Sequence, residues 1–204
     1  GGGGGGLNGG TGNLIVKNSI LWGNGREISL DGGTADVSYC NVEGGEAGVE
    51  LNPGAVLTWG EGNIDADPLF ADADGPDDDP FTWEDNDYHL LGGSPCIDAG
   101  DNDAPALNVD LDARLRFANR IDTPDTGNPG AVGPPLVDMG AYEYQCTGDL
   151  NGDGAISLAD LAELLAHYGA AGAPAYADGD LDQDADVDLS DLAELLSVYG
   201  DICE

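Results

Sequence analysis

The sequence predicts a mainly β chain over residues 1–145, wound as a parallel β-helix (solenoid), followed by a small α domain of two loop-helix repeats over residues 146–204. Three observations carry that expectation. Short β-prone runs alternate with Gly- and Pro-containing turns through the first part. Turn asparagines there recur every 22–23 residues. The last third holds an unmistakable internal repeat. Periods of this size mark architectures in which each unit buries its apolar face on the next one.

In chain order, the strand candidates are residues 14–16, 27–30, 35–39 and 55–59, each with at least one β-branched residue. Asn18, Asn41 and Asn63 each follow such a run and precede a Gly or acidic turn, a spacing that suits β-helix rungs with asparagines stacked in a ladder. A β-sandwich is the alternative for this part. Residues 71–87 break into a Pro- and Asp-rich stretch that reads as an exposed, solvated loop, a further cation loop being the second reading. Residues 88–91 resume strand-like sequence, and residues 136–144 read as a closing strand before the second domain.

The repeat begins at Gly148-Asp149-Leu150-Asn151-Gly152-Asp153-Gly154. It returns 31 residues later as Gly179-Asp180-Leu181-Asp182-Gln183-Asp184-Ala185, and the match continues to Tyr168-Gly169 and Tyr199-Gly200. Leu158, Leu161, Leu164, Leu165 and Tyr168 fall on one helical face, and Gly169 stands where a helix C-cap glycine belongs. Leu189, Leu192, Leu195, Leu196 and Tyr199 repeat the stripe. A unit this short cannot bury its stripe alone, so the two helices are expected to pack on each other.

The loops carry the chemistry. A twelve-residue calcium loop takes oxygen ligands from positions 1, 3, 5, 9 and 12, a backbone carbonyl from position 7, and a sharp turn at position 6. The first loop supplies Asp149, Asn151, Asp153, the Ala155 carbonyl, Ser157 and Asp160, with Gly154 at the turn. The second supplies Asp180, Asp182, Asp184, the Asp186 carbonyl, Asp188 and Asp191, with Ala185 at the turn. Hard oxygen donors without Cys or His select calcium over zinc, so two Ca2+ ions are the expected cofactors. Ala185 costs about 1 kcal/mol if its turn requires positive φ.

Position 12 is Asp in both loops, and no amphipathic helix precedes either one. In this the segment from Gly148 to Tyr199 resembles type I dockerins, which carry two such loop-helix repeats and bind cohesin domains. The resemblance implies a cohesin-like partner. Dockerins read that partner largely through hydroxyl-rich residues at loop positions 10 and 11; here these are Leu158-Ala159 and Leu189-Ser190, and only Ser190 offers a hydroxyl. Upstream, Gly93-Ser94-Pro95-Cys96-Ile97-Asp98-Ala99-Gly100 and Val137-Asp138-Met139-Gly140-Ala141-Tyr142-Glu143 resemble the end of bacterial secreted right-handed β-helix proteins of the anchor-associated type. That implies a secreted protein, extracellular or at the cell surface, and a chain that starts inside a longer solenoid.

Composition narrows the partners. Forty Asp and Glu face five Lys and Arg, a formal net charge of -35, so the field repels polyanions and argues against nucleic acid and anionic membrane. No apolar run approaches the roughly 20 residues of a membrane span. The opening Gly1 to Gly6 lacks the basic and apolar regions of a secretion signal, so the sequence reads as a mature or truncated form.

Four cysteines in a secreted chain favour two disulfides. Cys146 and Cys203 bracket the repeat and make the natural pair, which leaves Cys40 with Cys96. Three connectivities are formally open, and buried free thiols are the alternative.

Arg114, Arg116 and Arg120 are expected to pair with Asp110 and Asp112. His89 reads as a strand residue and His167 as a helix-face residue; no nucleophile motif accompanies either. The chain therefore reads as a non-catalytic, calcium-binding structural and interaction protein attached through its dockerin-like module. The alternatives are a fibre subunit assembled from neighbouring copies of itself, and the remnant of a polysaccharide-degrading enzyme.

Overall fold

The computed structural model describes residues 6–76, 85–104, 107–112, 114–118, 123–172, 176–182 and 184–202. Within them the chain is mostly β, with parallel sheets, and ends in a small helical segment.

Eight short strands make up the first part: β1 (Leu7–Asn8), β2 (Asn13–Lys17), β3 (Ile20–Leu21), β4 (Ile28–Leu30), β5 (Thr34–Ser38), β6 (Asn41–Val42), β7 (Glu50–Leu51) and β8 (Val56–Trp59). They form three sheets ordered β1-β4-β7, β2-β5-β8 and β3-β6. The pairing is parallel throughout: Leu7 faces Ile28, Asn13 faces Thr34, Ile20 faces Asn41, and on the next pass Ser29 faces Glu50 and Thr34 faces Val56. The chain thus lays one strand in each sheet and returns over itself. A sandwich needs antiparallel pairs, and among the described residues these three sheets contain none.

Alternation sorts the side chains. Ala35 and Val37 of β5 are buried between exposed Thr34 and Asp36, and Ile28 and Leu30 of β4 are fully buried. With Val16, Cys40 and Val42 they form the first core, where each large aliphatic contributes roughly 1.5–3 kcal/mol on leaving water. Two further strands, β9 (Phe70–Asp72) and β10 (Asp87–Leu90), pair antiparallel.

The asparagines do not stack, although their spacing matches the repeat. Asn41 lies in register with Ile20 and Ile64, one to two residues off the expected ladder. Asn18 instead joins Tyr39 in the left-handed region, at φ 48° and 52°. Gly62 stacks above Tyr39 so closely that a Cβ would overlap its ring. Each asparagine amide bonds to backbone groups instead of to another asparagine, most of them distant in sequence: Asn18 with the backbone of Asp101, Asn41 with that of Ala66, and Asn63 with the Val37 and Gly60 carbonyls.

The expected closing strand is irregular. Its backbone donors are satisfied singly, Met139 by the Cys96 carbonyl, Gly140 by the Asn18 carbonyl and Tyr144 by the Asp138 carboxylate, and Gly140 at φ 107° turns the chain. Residues 77–84 of the acidic loop lie outside the described residues.

The expected Cys40–Cys96 disulfide does not form; both thiols are free and buried. Cys40 belongs to the first core, while Cys96 packs with Leu90, Ile97 and Met139 in a second one. Asn41 stands between them, its Nδ2 3.1 Å from Cys96 Sγ. Cys146 is disulfide-bonded, and its expected partner Cys203 lies outside the described residues.

The C-terminal part contains helices α1 (Leu158–His167) and α2 (Leu189–Ser197). Its core is three pairs related by the repeat, Leu150 with Leu181, Ile156 with Val187 and Leu164 with Leu195, plus Tyr176 from the connecting segment. Loop residues fill this core, so each helix contributes one fully buried leucine. Leu161 and Leu192 pack at its margin, whereas Leu158, Leu165, Tyr168, Leu189, Leu196 and Tyr199 are exposed, contrary to the expected burial of both stripes. The repeats also exchange backbone bonds: Val187 N donates to Ala170 O, and Ile156 N donates to Asp201 O.

Candidate metal centres

Each loop is shaped by its first and last acid. In the first, Asp149 is buried; its Oδ1 accepts from Gly152 N at 2.9 Å and Asp153 N at 3.1 Å, and its Oδ2 from Gly154 N at 2.9 Å. Asp160 accepts from Leu150 N and Asn151 N on one oxygen and from Ser157 N on the other. Ser157 caps α1 and Asp160 completes its capping box, so the ligand positions 9 and 12 also start the helix. Asp188 and Asp191 do the same for α2.

Ligand oxygens of Asp149, Asp153 and Asp160 lie within 4.8 Å of one another, and Asn151 adds an oxygen beside Asp153. The second loop holds two such groups, Asp180 with Asp182 and Asp184, and Asp186 with Asp188 and Asp191. Loop spacing gives Asp186, like Ala155, only a backbone carbonyl role, whereas the structure brings its carboxylate into the group as well. The available signal was its acidic position between Asp184 and Asp188. The position 6 turn is left-handed in both loops, at φ 83° for Gly154 and 79° for Ala185. Residue 183 lies outside the described residues.

The electrostatics fit a hard cation. No Lys, Arg or His occurs in either twelve-residue loop. Burial, with the neighbouring Asp160 and Asp153 charges adding to it, pushes the Asp149 carboxyl up to about 6. Burial raises Asp180 as well, with help from Asp191 and Asp184. Asp180 is 4% exposed, yet its Oδ1 has no hydrogen-bond partner among the described residues. A buried carboxylate oxygen without a donor is costly unless a cation completes it. The aspartate clusters near the C-terminus are grouped so that they can hold a metal ion.

Arg114 and Arg116 of the first part are held by backbone carbonyls. Arg116 is buried and donates to the Gly140 and Asp138 carbonyls, while Arg114 donates to the Gln145 carbonyl. Neither forms the expected pair with Asp110 or Asp112. Asp110 is occupied instead by the backbone N–H groups of Asp112, Arg114 and Glu143. Arg120 lies outside the described residues.

Asp138 accepts from Asp98 N at 2.7 Å and Tyr144 N at 2.6 Å, and burial pushes its carboxyl up to about 7. Glu143 is driven well up by burial and then by the Asp138 charge. His89 lies in β10 between the carboxylates of Asp87 and Asp112 and stacks on Tyr142. No helix among the described residues is long and apolar enough to cross a membrane.

No protein-family model matches this chain, and no curated protein or solved structure matches it significantly.

Proposed function

We propose that this chain is a non-catalytic, secreted structural and interaction protein, the end of a right-handed parallel β-helix carrying a dockerin-like module that loads two calcium ions. The carrying observation is the repeated oxygen pattern joined to its geometry: twelve-position loops 31 residues apart, a left-handed residue at position 6 of each, and a buried Asp180 Oδ1 without a hydrogen bond among the described residues. Calcium accepts 6–8 oxygens in a flexible arrangement, which suits mixed carboxylate, amide, hydroxyl and carbonyl donors. The strand partners, 21–23 residues apart, support the β-helix reading.

The protein's own residues do the rest. Asp160 and Asp191 tie the end of each loop to its helix start, so cation binding orders the loop and the helix together. The exposed Leu158, Leu165 and Tyr168, with their repeats Leu189, Leu196 and Tyr199, then supply the attachment surface for a cohesin-like partner. Calorimetric titration of the whole chain with calcium tests the reading. About two sites per chain are expected, a single site removes one loop from the proposal, and none overturns it.

A further inference from the structure

Gly152, at position 4 of the first loop, is buried against the β domain. A Cβ there would lie 3.1 Å from Ala118 Cα and 3.2 Å from Ala118 Cβ, with the Phe117 carbonyl at 3.5 Å. Ala118 is itself buried. Arg114 reaches the same loop by two routes. Its guanidinium lies 4.3 Å from the Tyr176 ring centroid, and the Tyr176 hydroxyl accepts from Gly148 N, the residue before Asp149. Its Nη1 donates to the Gln145 carbonyl at 3.0 Å, and the buried Gln145 amide donates to the carbonyl of Asp149 itself.

Among the described residues, Tyr176 is the one buried core residue of the module without a counterpart in the repeat, and it is the residue on which Arg114 rests. The hydrogen bonds of the second loop, among the described residues, stay within the module.

We propose that the first cation loop is a composite site, positioned by Arg114, Gln145 and Ala118 of the adjoining segments, so that a cation bound there also fixes the module on the β domain, while the second loop loads autonomously. This rests on the cation reading above. The two sites are therefore unequal despite their repeated sequence. Coupling of this kind is reciprocal: what the β domain lends to first-site affinity, the cation returns as domain docking.

Hydrogen exchange of the full chain, read by mass spectrometry beside calcium calorimetry, provides the test. Residues 114–118 and 145–152 should exchange about tenfold faster on chelation. In millimolar calcium, Asp149→Ala should release 114–118, whereas Asp180→Ala should leave that segment protected. Because Asp149→Ala can also unfold the module, Arg114→Met supplies the second arm. It should weaken one calcium site about tenfold and leave the other unchanged, with Arg114→Lys, which keeps a cation over Tyr176, losing less. Equal exchange in the two aspartate variants, or two unaltered affinities in Arg114→Met, overturns the composite site while leaving calcium binding intact. A wild-type chain that binds no calcium overturns both readings.

Discussion

Both parts of this chain bury carboxylates, but they surround them differently. In the β domain, Asp138 and Glu143 are met by backbone N–H donors and by the buried guanidinium of Arg116, whose Nε lies 3.9 Å from Glu143. In the module, Asp149, Asp160, Asp180 and Asp191 are buried in loops without a cationic side chain. Backbone donors shape those loops without neutralising them. The first region therefore carries its own compensation, in an arginine and in protons. On the function proposed above, the second is completed by an ion from outside, and the two should separate when that ion is withdrawn.

The largest expected effect is that separation. Chelation, or Asp149→Ala combined with Asp180→Ala at millimolar calcium, should melt the module and leave the β domain folded, because metal binding and folding are one equilibrium where the site does not pre-exist in the unfolded chain. Thermal scans should show two transitions with calcium, of which only the β-domain transition survives chelation. A single transition that shifts as a whole would show instead that the junction welds both parts into one cooperative unit.

The module's core gives the next effect. Leu164 and Leu195 are fully buried, and truncating either to Ala should cost about 2–5 kcal/mol with calcium present. Leu165→Ala and Leu196→Ala, on the exposed part of the same helices, should leave stability nearly unchanged and weaken partner attachment instead. Denaturant melts and partner titrations of the four variants check this division. Comparable destabilisation by the outer leucines would mean that they are covered.

Protons should act on the two regions in opposite senses at working calcium levels. The folded-state carboxyl of Asp138 is raised by burial to about 7 from an ordinary 3.8, so the folded β domain holds a proton that the unfolded chain releases. Its contribution is fully present below the ordinary range and is lost as pH rises through about 7. Moving from pH 7 to pH 5 should thus stabilise the β domain, by on the order of 2 kcal/mol, and Asp138→Asn should flatten that slope. In the module, protons compete with the cation for Asp149, raised to about 6, so calcium affinity should fall as pH drops below that value. Melts under chelation and calorimetry across pH 5–8 measure the two slopes.

Local features were legible from sequence because local physics decides them. The candidate run 35–39 became Thr34–Ser38 and 55–59 became Val56–Trp59, where alternation and β-branching act within a few residues. The aspartates of the loops were legible for a second reason, since a pattern written twice is hard to mistake. What escaped was non-local. The period of the asparagines was visible, but their register depended on which residue takes the left-handed corner. Asn41 came to lie beside Cys96, 55 residues away, where a disulfide was expected. The outer leucines were assigned to a helix pair because sequence does not reveal that Leu150, Leu181 and Tyr176 already fill the space.

The smallest effect tests the difference between the loops themselves. Gly154 and Ala185 occupy the same turn with φ of 83° and 79°, a region that glycine enters freely and an L-residue with a Cβ enters at a cost. Ala185 N donates to Asp180 Oδ2 at 3.2 Å, as Gly154 N does to Asp149 Oδ2 at 2.9 Å, so the turn aims an N–H group at the position 1 acid in each case. Ala185→Gly removes the Cβ and leaves that bond in place. The folded module should gain about 1 kcal/mol in strain relief, less what the greater freedom of glycine adds to the unfolded state. A small gain in second-site calcium affinity should accompany it, with the first site unaffected. The reverse change, Gly154→Ala, should weaken the first site by a similar amount. Calcium titrations of both single variants decide the matter: if Ala185→Gly leaves the second site unchanged while Gly154→Ala weakens the first, the second loop tolerates its strained turn for a reason other than cation binding.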